Sequence, residues 1–209
     1  MDVLEIAPGL WRWTAWHEEW KQAVGCVYRQ SSDAVVLIDP LVPPENPDRF
    51  WRALDRDVEQ AGVPVHVLVT VFWHARSAGE VVRRYGGRLW APSRARAAIE
   101  RRTHAVTDVF RPGDPLPGGV RAFATAHVND VVYWLPEHGA LVPGDVILGD
   151  EDGGLRMCPE SWLPKGTGHA KLRDSLRPLL DLPVERVLVS HGEPVLAGGH
   201  HALASALQR

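Results

Sequence analysis

Five residues of a kind that can do acid–base or metal chemistry stand at the ends of segments that read as buried strands: Asp39 in "LIDP", His74 in "VFWHAR", His127 in "ATAHVND", Asp145 in "VPGDVIL" and His191 in "LVSHGEP". Polar side chains at strand ends converge on one rim of a sheet, where ligand sites of α/β proteins form. Imidazole and carboxylate together suit a borderline cation such as zinc, and an open coordination position lets bound water act as a nucleophile near neutral pH. Each residue also has a plainer reading. Asp39 precedes a Pro-rich stretch and fits a turn-forming aspartate, Asp145 follows a Pro-Gly pair and does the same, and His127 in a small-residue turn fits a solvated imidazole. His191 is the sharpest signal, because Gly192 lets the chain turn closely beside the ring. His66 within a strand and the pair His200 and His201 read as structural or surface residues.

Cys26 and Cys158 make neither a metal-type spacing nor a disulfide framework. Cys158 in "RMCPESW" fits a buried thiol better than a nucleophile. Ser190 and His191 cannot form a dyad on an extended strand, since successive side chains point to opposite faces.

These positions need elements to hold them. "GLWRWTAW", "AVGCVYRQ" and "DAVVLIDP" read as strands; Asn46 and Pro47 then open an amphipathic helix that Gly62 closes. "VPVHVLVTV" is a strand leading into the helix "SAGEVVRRYGG", and "RLWAP" a strand before the helix "PSRARAAIERR". Alternating strand and helix argues for a layered α/β architecture. "GGVRAFATA", "DVVYWLP" and "GALVPGDVIL" read as an antiparallel meander, followed by a helix interrupted at Pro178, the strand "VERVLVSHG" and a closing helix. The stretch from Gly149 to Gly168 is the longest irregular segment, of a length that is often functional.

The chain has 209 residues, 45% of them apolar and 23% charged, with a net charge of −3 whose signs are mixed along the sequence. One domain spanning residues 1–209 is expected. That balance gives no electrostatic reason for a nucleic acid or an anionic membrane as partner. The N-terminus lacks a basic segment followed by an apolar run, and a cytoplasmic protein is expected. Of nine tryptophans, Trp73, Trp134 and Trp162 belong to segments expected near the rim and, with Asp39, are expected to line a pocket for a small apolar or aromatic molecule. Trp11 and Trp13 share a strand face that either packs in the core or covers a pocket, and exposed tryptophans near the N-terminus make a homodimer plausible.

The order "VVLIDP", "TVFWHARSAG" entering a helix, "AH" before a strand, "GD" after one and "VLVSHGEP" near the end resembles the metallo-β-lactamase-fold hydrolase superfamily over nearly the whole chain. The resemblance implies an αββα sandwich, two mixed sheets face to face with helices outside, and hydrolysis of esters, thioesters, amides or phosphoesters at zinc. The family motif T-H-x-H-x-D-H, laid on from Thr70, puts Val71, Trp73, Ala75 and Arg76 where its metal ligands stand. His127, Asp145 and His191 match the later ligands, and Asp39 the aspartate closing the early strand. A dinuclear centre is therefore not expected.

Two readings of the remainder compete. In one, His74 is displaced by one position and joins His127, Asp145 and His191 around a single zinc. In the other, no metal is held: Arg76 substitutes for the cation by pairing with Asp145, Trp73 fills the vacated volume, and Asp145, His127 and His191 are the catalytic acid–base set or line a small-molecule binding site. The sequence favours the second, because an arginine beside a metal site disfavours a divalent cation.

Overall fold

The computed structural model describes residues 2–208. Four antiparallel strands open the chain, β1 (Val3–Ala7), β2 (Leu10–His17), β3 (Gln22–Gln30) and β4 (Val35–Ile38). Helix α1 (Pro47–Ala61) follows, with the Asn46 side chain accepting from the Arg49 N–H, Pro47 in the first turn and Gly62 left-handed at φ 62°. Then come β5 (Val65–Leu68), α2 (Ala78–Tyr85), β6 (Arg88–Pro92), α3 (Arg96–Thr103) and β7 (Val106–Phe110). Strands β4 to β7 are parallel, so the seven strands form one mixed sheet in sequence order.

The second sheet is built from β8 (Arg121–Ala124), β9 (Val131–Leu135) and β10 (Ala140–Val142) in an antiparallel meander. The expected third strand of that meander breaks at Pro143, which has no N–H for a ladder. The chain leaves the sheet at Gly144, where a Cβ would fall 2.9 Å from oxygens of Asp130 and Thr70. It resumes as β11 (Ile147–Gly149), paired with β12 (Leu155–Met157) in a separate ribbon. Helix α4 (His169–Leu176) passes into a 3-10 turn, Arg177–Asp181, at Pro178. Strand β13 (Arg186–Val187), much shorter than "VERVLVSHG" suggests, joins β10 in parallel, and α5 (Gly199–Gln208) closes the chain.

Three buried clusters define the layers, and strand periodicity sorts residues among them. On β4, Val35 and Leu37 pack under α1 to α3, while Val36 and Ile38 face the other sheet. On β9, Val131, Tyr133 and Leu135 meet Ile38 and Leu68 between the sheets, while Val132 and Trp134 turn outward toward α4 and α5. The result is helices, sheet, sheet, helices. Trp134 is thus core, 3% exposed, and does not line the cleft expected of it. Trp13 is likewise core, its indole N–H donating to the Leu41 carbonyl. No helix among the described residues is long and apolar enough to cross a membrane.

Candidate metal centre and cleft

Because β4 and β5 run parallel, as do β10 and β13, the segments that follow all four strands meet at one rim. The turn after β5 is a 3-10 segment, Phe72–Ala75, which projects His74 into the interior. His74 Nδ1 lies 2.9 Å from Asp39 Oδ2, which also accepts from the Thr70 hydroxyl at 2.5 Å, while Asp39 Oδ1 accepts from the Thr70 N–H at 2.8 Å. Asp39 is therefore neither a simple turn former nor part of the cleft wall; it is buried beneath His74 and orients the ring.

With Nδ1 committed to a carboxylate, Nε2 of His74 faces the rim. It lies 3.2 Å from Asp145 Oδ1, and His191 Nε2 lies 3.2 Å from the same oxygen. Both His74 Nε2 and Asp145 Oδ1 are buried and lack a hydrogen-bond partner, so these close approaches do not have hydrogen-bond geometry. Among the described residues, His74, Asp145 and His191 are the one group whose ligand atoms converge in this way, all within 4.8 Å of one another. A tetrahedral zinc with bonds of about 2.0–2.1 Å separates its ligand atoms by roughly 3.3 Å. The donor set and spacing fit one such ion.

The remaining oxygen, Asp145 Oδ2, accepts from the Trp73 indole N–H at 2.6 Å. Burial alone would raise the Asp145 pKa, but His74 and His191 outweigh it and hold the carboxyl well below the usual range. Burial and the nearby Arg76 push His74 down, yet Asp145 and Asp39 together leave it raised.

Two expectations are corrected. Arg76 does not pair with Asp145. Its backbone stands at φ 29°, and the guanidinium is directed instead to the carbonyls of Asp39 (3.1 Å) and Gly25 (3.4 Å) and to Ser190 Oγ (2.9 Å), against the Trp20 ring. The space it was expected to fill is left to the three converging ligands. His127 stands outside that group; its ring meets Trp73 edge-on at 5.4 Å across the same cleft, and burial lowers its pKa.

The cleft above these residues has a volume of about 370 Å³ and is walled by Trp20, Trp73 and Trp162, with His127, Asp130 and His191 among its polar members. Trp162 stands beside His191 with ring centroids 6.5 Å apart. Trp20, Asp130 and Thr70 escape sequence reasoning. Trp20 lies in a hairpin turn with no periodic signal, although Asp130, an acid directly before a continuous apolar strand, is visible in "VNDVVYWL".

No family model and no curated protein matches the sequence. Solved structures do. DIM-1 metallo-β-lactamase exposed to ceftazidime superposes with a TM-score of 0.72 at 13% identity, covering 99% of this chain and 96% of its own. A metallo-β-lactamase from Pontibacter korlensis gives 0.72 at 19% identity, covering 100% and 99%. This chain has the metallo-β-lactamase fold. A β-lactamase domain protein from Burkholderia ambifaria shares that fold at a TM-score of 0.68 and 20% identity, with 98% of this chain matched to 75% of the other. The turn after β5 carries Val71, Trp73, Ala75 and Arg76, with His74 between them turned inward.

Proposed function

We propose that this protein holds one divalent cation of the zinc type on His74 Nε2, Asp145 Oδ1 and His191 Nε2, and hydrolyses a small ester, thioester or amide whose apolar part lies among Trp20, Trp73 and Trp162. The observation that carries this reading is the convergence of three ligand atoms, two of them buried without partners. The Asp39 to His74 contact supports it further, because a histidine that ligates a metal commonly donates its other N–H to a carboxylate. A zinc ion so held supplies Lewis acidity to a carbonyl oxygen and to water.

The residues of the chain do the rest. Asp39 fixes the His74 tautomer, and the Trp73 N–H fixes the rotation of Asp145 and engages the oxygen that a second cation would need. His127, kept neutral by burial, takes up a proton at the cleft wall. The indoles exclude water from the apolar part of the substrate.

Metal analysis of protein purified after growth with added zinc tests this: one equivalent is expected, and His74→Ala or His191→Ala is expected to lose it. Absence of metal from the unaltered protein would overturn the reading. A metal-free acid–base site is the second reading, favoured by one arrangement: the Asp145 carboxylate stands 3.2 Å from the Nε2 atoms of both His74 and His191, and its negative charge favours the protonated form of His74. In that case chelated protein retains its turnover of a chromogenic aryl ester, whereas the zinc reading requires turnover to vanish on chelation and return with zinc.

A further inference from the structure

A second hollow, of about 590 Å³, lies on the other side of the β8–β9 connection and shares one wall residue, Asp130, with the tryptophan-walled cleft. Its lining includes Ser93 and Arg94, which follow β6, and Arg111, which follows β7; Thr125 and Val128 come from the β8–β9 connection. The C-terminal ends of adjacent parallel strands are where ligands of α/β sheets settle.

The two arginines are held close by the backbone. The Ser93 N–H donates to the Phe110 carbonyl at 2.8 Å, so the residues immediately after that pair, Arg94 and Arg111, leave the sheet side by side. The Arg111 N–H donates to Asp114 Oδ2 at 2.7 Å, which fixes the turn beyond. Both guanidiniums are exposed, and neither has a hydrogen-bond or ion-pair partner among the described residues. That sets them apart from Arg29, Arg84 and Arg88, each of which pairs with a carboxylate. The Asp114 carboxylate is engaged by the Arg111 amide, and Asp130, the one acid in the lining, is 2% exposed and presents almost no surface to an occupant.

We infer that the hollow between β6, β7 and the β8–β9 connection is an anion-binding site, in which Arg94 and Arg111 clasp the carboxylate or phosphate oxygens of a small organic anion. Two guanidinium forks on adjacent strand ends match the paired oxygens of either group. The Ser93 hydroxyl adds a further donor.

The inference does not depend on metal in the neighbouring cleft, and the test uses chelated full-length protein. Inorganic phosphate and succinate are titrated separately at low ionic strength, with binding followed by calorimetry and by amide chemical shifts. Saturable binding of one or both is expected, with shifts at residues 93–95, 111 and 113; the tighter of the two assigns the anion as phosphoryl or carboxylate. R94A/R111A is expected to weaken binding by at least about tenfold, the loss of two charge-assisted contacts. R49A/R52A, which removes the same charge from exposed positions on α1, is expected to leave binding unchanged. Absence of saturable binding of either anion, shifts confined to other surfaces, or equal weakening in both double variants would overturn the inference.

Discussion

The choice between metal ligand and ordinary core histidine turns, for His74, on a single proton. Asp39 Oδ2 at 2.9 Å holds that proton on Nδ1 and leaves the Nε2 lone pair facing Asp145 and His191. Asp39→Asn therefore replaces an anionic acceptor with an amide while keeping the volume, and is expected to weaken zinc affinity about 10–100-fold, measured by competition with a chromogenic chelator. Unchanged affinity would mean that the tautomer is set elsewhere. The position of His74 between motif residues was legible in the sequence, as were Asp145 and His191. The direction of Arg76 was not, because it follows from a backbone torsion of φ 29° that residue spacing does not report. Nor was the separation of His127 from the ligand group, which depends on how the second sheet sits over the first.

At the level of elements, the rim depends on the close approach of two glycines. Gly192, at φ 83°, turns the chain immediately after His191, and a Cβ there would meet the Gly149 backbone at 2.9 Å. The Gly149 N–H in turn donates to the His191 carbonyl at 2.9 Å, so the ribbon of β11 and β12 braces the ligand from behind. Gly192→Ala is expected to destabilise the fold by about 1–3 kcal/mol through left-handed strain and backbone crowding. It should also reduce zinc stoichiometry well below one equivalent, whereas a variant that loses stability but keeps full metal would separate the turn from the site. Gly192 beside a histidine was readable as a tight turn. The break of "GALVPGDVIL" into β10 and β11 was not, since a Pro-Gly pair permits a bulge within one strand as well as a departure from the sheet.

Across the whole molecule, three apolar layers enclose one buried acid–imidazole group, and its ionisation ties stability to pH. Asp145 is held low, so its contribution is present above its unfolded value of about 3.9 and is lost as pH falls through the folded one. His74 is raised, so its contribution is full below about pH 6.5 and is lost as pH rises through the folded value. His17, His66 and His127 are held low by burial and contribute with the opposite sign in the same window, so the His74 contribution is read as a difference: above about pH 6.5 the melting temperature of chelated protein is expected to lose ground relative to that of His74→Asn, and one equivalent of zinc is expected to remove that loss in the unaltered protein, since the ion takes the place of the proton. Calorimetry of both proteins from about pH 5 to 9, with and without chelator, checks this; a difference that does not change with pH in the chelated proteins contradicts it. The layered architecture itself was legible, because β4 and β9 alternate between two buried faces and α1 carries its own caps. Trp134 shows the limit of that legibility: a strand buried on both faces gives no hint of which face looks toward the cleft.

The Arg76 guanidinium touches the chain at the end of β4, at Gly25 on β3 and at Ser190 beside the His191 ligand. Those contacts join residues of the chain to one another and use none of the candidate ligand atoms. On the proposed reading the three candidate ligands are therefore brought together by the fold's own contacts, and a cation has little chain ordering left to drive. Loading and unloading should then be a local exchange of water and protons that leaves the backbone where it was, the opposite of a small domain that collapses only around its metal.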